Sequence, residues 1–132
     1  MTKDSANEWR DLATKKLEEN FKILNPMRRQ FNDEDLLGIN EIVQMDKEDI
    51  KNSDILFVNY NVAREKTTLC GTAMEILTAH QQGKYVVAFT NLPKNEWSPW
   101  MIFHSTRILT DFDEAVSYIL KHFRDDKNAL PC

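Results

Sequence analysis

The sequence predicts an α/β protein in which a parallel sheet of about four strands is covered by helices on both faces. Amphipathic helical segments alternate with short apolar runs along the chain. Two of those runs, "DILFVNY" and "YVVAFT", are apolar nearly throughout, as strands buried on both faces are. The chain has 132 residues, of which 42% are hydrophobic and 29% charged. That is enough for one domain with its own core, and we expect a single domain over residues 1–124 followed by a tail over 125–132.

The elements follow in order. "SANEWRDLATKKLEEN" reads as a helix opened by a capping box, Ser5 with Glu8 three residues later, and carrying Trp9, Leu12, Ala13 and Leu17 at helical spacing. "FKILN" is a short strand stopped by Pro26, and "PMRRQFNDEDLLG" is a charged loop. "INEIVQMDKEDIKNS" is a helix and "DILFVNY" the best buried strand; "NVAREKTTLCG" is a loop. "TAMEILTAHQQG" is a helix closed by Gly83 at its C-cap. "YVVAFT" is a strand, "NLPKNEWSPWMIFHS" a loop with one helical turn, and "TRILT" a weaker strand. "DFDEAVSYILKHF" is a helix with Asp111 as its N-cap, and "RDDKNALPC" reads as a frayed end.

Composition excludes several classes. The formal net charge is −4 with acids and bases interspersed, which argues against a nucleic-acid surface. No apolar run approaches the roughly 20 residues of a membrane-spanning helix, and "MTKDSANEWR" lacks the apolar core of a signal peptide. Cys70 and Cys132 make neither a disulfide framework nor a metal pattern, and His80, His104 and His122 are scattered. A soluble cytoplasmic protein without metal or cofactor is expected.

Parallel sheets bind ligands at the carboxyl ends of their strands. The loops after Asn25, Tyr60 and Thr90 should therefore line one crevice, with Glu75 just beyond one of them. Glu75 has two readings. With Thr72 three residues before it, it has the spacing of a capping box, and an acid suits a first helical turn. It also stands where the crevice opens, beside Gly71, which lets a ligand approach the backbone closely. Asp46 falls on the apolar stripe of its helix (Ile39, Ile42, Val43, Ile50). A carboxylate there needs a partner or a function; the bland reading is a cap for a neighbouring loop. Lys47, Glu48 and Asp49 look like the solvated face. Arg28 and Arg29 could hold a phosphate or carboxylate, although a solvated loop suits Arg29 better. Trp97 and Trp100 bracket Ser98 and Pro99, either as a stacking platform or interface or as a plug over the sheet.

Taken together, "EWRDLATKKL", "ILNPMRR", "EIVQMDKEDIKNSDILFVNYN", "GTAMEI", "GKYVVAF" and "SPWMIFHS" resemble the nucleoside 2-deoxyribosyltransferase-like proteins, a superfamily that includes deoxynucleoside monophosphate N-glycosidases. The resemblance runs from about Glu8 to Leu120 and implies a flavodoxin-like or Rossmann-like three-layer fold. It implies that Glu75 attacks the anomeric carbon of a nucleoside or nucleotide, that the base leaves, and that a second base or water resolves the glycosyl ester. Asp46 would assist proton transfer or hold the nucleophile. Asn59, Gly71, Ser98 and Arg28 would contact substrate, and Ser98 would act from a neighbouring subunit in a homo-oligomer. The alternative is a catalytically inactive member that binds a nucleotide or acts as a regulatory or interaction protein.

The resemblance also sets a structural problem. Such proteins open with a strand and a glycine-containing turn, whereas this chain opens with a helix. In a flavodoxin-like order that strand is central. Its loss leaves a gap between "FKILN" and "DILFVNY", to be closed by those strands meeting, by a strand from another chain, or by a longer product.

Overall fold

The computed structural model of the chain describes residues 3–24, 38–61, 70–123 and 126–131. Five strands form one all-parallel sheet: β1 (Lys22–Ile23), β2 (Ile55–Asn59), β3 (Tyr85–Phe89), β4 (Arg107–Leu109) and β5 (Asn128–Pro131), in the order β1-β5-β2-β3-β4. Among the described residues five α-helices cover it: α1 (Lys3–Leu17), α2 (Gly38–Asn52), α3 (Cys70–Gln81), α4 (Pro99–His104) and α5 (Phe112–His122). The α/β class is as the sequence predicts.

Side chains alternate across the sheet, so each central strand feeds two cores. Ile55 and Phe57 of β2, Val87 and Phe89 of β3 and Ala129 of β5 point to one face, where α1 and α5 supply Ala13, Leu17, Ala115 and Ile119. Trp9 of α1 completes an aromatic cluster there, edge-on to both Phe57 and Phe89 at 5.6 Å between ring centroids. Leu56, Val58, Val86, Ala88 and Leu130 point to the other face and meet Ile50 of α2 and Ile76 and Ala79 of α3. On that face α3 is the middle helix, packed against α2 on one side and α4 on the other.

The gap is filled from within the chain. Residues 128–131 are not a frayed end. They form β5, inserted between β1 and β2 and parallel to both. The Leu24 N–H donates to the Ala129 carbonyl and the Asp54 N–H to that of Asn128. The Asp54 carboxylate accepts the Asn128 N–H at 2.8 Å, and the Asn128 side chain donates to the Asn52 carbonyl at 3.0 Å. The physical cause is the need of two flanking strands for backbone partners. Pro131, which cannot donate to a ladder, is the last residue of the strand.

Helix boundaries test the capping assignments. Asp111 caps α5, accepting the Glu114 N–H at 2.8 Å. Gly83 closes α3 with φ 72°. Its N–H donates to the His80 carbonyl and that of Lys84 to the Ala79 carbonyl, the paired bonds of a Schellman motif. Ser98 caps α4, with Pro99 as the first helical residue. Two expected caps are not realised. Ser5 lies inside α1, which starts at Lys3. Thr72 lies inside α3, which starts at Cys70, and no acid stands in the first turn of α3.

Candidate active site

The carboxyl ends of β2 and β3, where a crevice is expected, are tied together by backbone bonds; most of the loops after Asn25 and Tyr60 lie outside the described residues. The Tyr60 N–H donates to the Phe89 carbonyl, tying the ends of β2 and β3. The buried Thr90 hydroxyl donates to the Tyr60 carbonyl at 2.8 Å and accepts the Leu92 N–H at 3.2 Å. Asn59, the last residue of β2, accepts the Asn61 N–H on its side-chain oxygen at 3.0 Å. That bond turns the oxygen back to its own loop and leaves the amide NH₂ as the group Asn59 can offer a ligand.

Glu75 stands in the second turn of α3, half-buried. A capping role is therefore out of register. Its direction follows from the helical period of roughly 100° per residue. Ile76 is buried against the sheet. Leu77, one step round, lines a cavity beside α4. Glu75, one step the other way, lies on the opposite flank, toward α2. Asp46 is half-buried on α2, four residues before the buried Ile50 and so on the sheet-facing side of that helix. The two carboxylates thus sit on adjacent, packed helices, and each is engaged by a neighbouring group.

The charged face of α2 needs one correction. Lys47 and Glu48 are exposed, but Asp49 is only 3% exposed. It follows Asp46 by three residues and shares the buried side, so α2 directs two acids inward. Val43, expected on the apolar stripe, is exposed.

Gly71, in the first turn of α3, is exposed, and no atom of the described residues lies within 4 Å of where a Cβ would stand. Arg28 and Arg29 lie outside the described residues.

Ser98 lies on the α4 side of α3. With Tyr60, Met74, Leu77, Trp100 and His104 it lines a mainly apolar cavity of about 330 Å³ between α3 and α4. Neither Glu75 nor Asp46 lines that cavity. The two tryptophans separate by role. Trp97 is half-buried, and its indole N–H donates to the Leu92 carbonyl at 2.9 Å, so it plugs its loop. Trp100 is 76% exposed. That Tyr60, Met74 and His104 meet was not legible in the sequence, because they fall on three segments that only the tertiary fold brings together. Among the described residues, no group of three or more His, Cys, Asp or Glu side chains is arranged to hold a metal ion.

A parallel sheet covered by helices on both faces, with carboxylates on two adjoining helices and an amide at a strand end, defines an α/β domain. The family model of nucleoside 2-deoxyribosyltransferase matches residues 2–126, and the chain belongs to that family. The match stops short of β5, so the strand that completes the sheet lies outside the matched residues. Comparison with curated proteins gives no match. Among the described residues, no helix is long and apolar enough to cross a membrane.

Proposed function

We propose that this protein cleaves or transfers the N-glycosidic bond of a nucleoside or nucleotide, with Glu75 as nucleophile. The observation that carries the proposal is the register of α3: Glu75 is too far into the helix to cap it, yet it is half-buried, and by helical period it lies on the flank toward the adjoining helix α2. In the first step a Glu75 carboxylate oxygen bonds to the anomeric carbon. The C–N bond breaks, its electron pair stays on the base nitrogen, and the base takes up a proton with the help of Asp46. In the second step a nitrogen of another base, or water, attacks the same carbon. The ester opens, a proton leaves the incoming nucleophile, and the Glu75 carboxylate is restored. Asn59 and Gly71 would contact the substrate at the crevice rim, and Arg28 would take a phosphate where one is present. Incubation with deoxynucleosides or their monophosphates, with and without a free base, followed by chromatography tests the proposal. Release or exchange of base by wild-type protein but not by Glu75→Gln supports it, and inert wild-type protein overturns it.

We propose further that the protein is a homo-oligomer in which the Ser98 segment approaches the site of a second copy. The support is that Met74, Trp100, Ile102 and Phe103 are exposed on the neighbouring helices α3 and α4, and clustered exposed apolar side chains mark interaction surfaces.

One observation favours a second reading. The strand in the central slot, Asn128–Pro131, is not the strand with a glycine-containing turn that the resemblance implies. A catalytically inactive member that binds a nucleotide or a partner protein would have no need of that turn. Nucleotide binding without turnover in the same assay would favour this alternative.

A further inference from the structure

His80 and His104 are 24 positions apart in the sequence, yet they meet at the carboxyl ends of α3 and α4. Their ring centroids are 4.7 Å apart with the planes inclined at 71°. Both rings are accessible, His80 exposed and His104 half-buried. The Nδ1 of His104 lies 2.7 Å from the Trp100 carbonyl oxygen. A carbonyl only accepts, so Nδ1 carries the hydrogen, and Nε2 of the neutral ring keeps its lone pair for another partner. A ring N–H held by a backbone carbonyl while the other nitrogen stays available is the usual arrangement of a metal-binding histidine. The ring is braced as well. Trp100 stacks on it at 5.8 Å and 5°, and Phe103 packs against both His104 (5.0 Å) and His80 (5.4 Å).

From this geometry we infer that His80 and His104 form a two-histidine site for a divalent transition ion of the nickel, copper or zinc type, joining the ends of α3 and α4. The centroid separation is compatible with it. With a metal–nitrogen bond of about 2.1 Å, an imidazole centroid lies roughly 3.2 Å from the ion, so two such rings at inter-ligand angles of about 90–110° have centroids roughly 4.5–5.2 Å apart. The observed 4.7 Å falls inside that range without movement of either helix. Imidazole pairs select borderline ions over magnesium or calcium, which prefer oxygen ligands. No third His, Cys, Asp or Glu joins the pair among the described residues, so the ion would complete its shell with water. The site lies on the α4 side of α3, whereas Glu75 lies on the flank toward α2, and its occupancy does not depend on the glycosyl-transfer proposal; it borders the proposed oligomer contact, because Trp100 and Phe103 pack on the two rings, and it requires those rings to stay open to solvent there.

The test is a calorimetric titration of the full chain with Ni²⁺ at mildly alkaline pH, where imidazoles bind metal as neutral ligands. Tryptophan emission is recorded in a parallel titration, because an ion bound to His104 sits beside Trp100. We expect one saturable Ni²⁺ site per chain and partial quenching along the same isotherm. His80→Gln and His104→Gln should each weaken binding at least about tenfold, and His122→Gln should leave it unchanged. No saturable site in the wild-type chain overturns the inference. So does a site that survives both substitutions, one lost through only one of them, or one lost with His122→Gln. The wild-type quenching needs no variant to fold, so an unstable mutant leaves the inference open to refutation.

Discussion

Replacing Leu130 with alanine measures whether the last strand holds the sheet together. Leu130 is 2% exposed and belongs to the core that Ile50, Leu56, Val86 and Ala79 form between the sheet and helices α2 and α3. The substitution removes three carbon atoms. At about 0.8 kcal/mol per buried methylene-sized group, the transfer loss alone is roughly 2.4 kcal/mol. A central strand hydrogen-bonded on both sides cannot relax far into the space left behind, so a cavity penalty adds to this and the total falls at about 3–4 kcal/mol, within the range for buried Leu→Ala changes. Such a loss lowers the melting temperature of a domain of this size by roughly 10–15 °C. Thermal and urea unfolding followed by circular dichroism read it directly, and the fall in urea midpoint should come with an unchanged slope. A tail that merely rested on the surface would give a change within about 0.5 kcal/mol. An unfolding midpoint equal to that of the wild type would refute the assignment of residues 128–131 to the centre of the sheet.

Three further outcomes are expected. Glu75→Gln should fold with near wild-type stability and lose turnover by several orders of magnitude, whereas Asp46→Asn should cost about 10²–10⁴-fold, the range for assisted proton transfer; base-release kinetics with a stability control check both. Thr90→Val should destabilise by about 1–3 kcal/mol, because it removes a buried hydroxyl that bonds both the Tyr60 carbonyl and the Leu92 N–H, and denaturant unfolding reads the difference. Trp100→Asp should lower the mass seen by light scattering at micromolar concentration, with little effect on folding, since the side chain is exposed.

Much of this protein is legible in its sequence because much of it is local. The apolar runs at 55–59 and 85–89 are strands wherever they are placed, since every side chain in them needs a dry neighbour. Asp111 and Gly83 act as helix caps because their effect spans one turn. The inward side of α2 follows from the four-residue step between Asp46 and Ile50, although Asp49 shows that a charged run can hide a buried member. The family, too, is legible in short motifs spread along most of the chain.

Other features were decided only by the tertiary structure. "NALP" carries no strand signal: it is four residues long, ends in proline and lies beside a charged stretch. It becomes a strand because β1 and β2 present unpaired backbone groups at a spacing that only a third strand satisfies, and that demand arises from residues more than 70 positions away. The register of Glu75 likewise followed from where its helix begins, at Cys70, and not from the four residues that mimic a capping box. The meeting of His80 with His104 depends on the packing of α4 against α3. Local periodicity determined which segments would be helix or strand and which faces they would bury. Long-range pairing, which no window of sequence contains, decided which strand completes the sheet and which side chains meet.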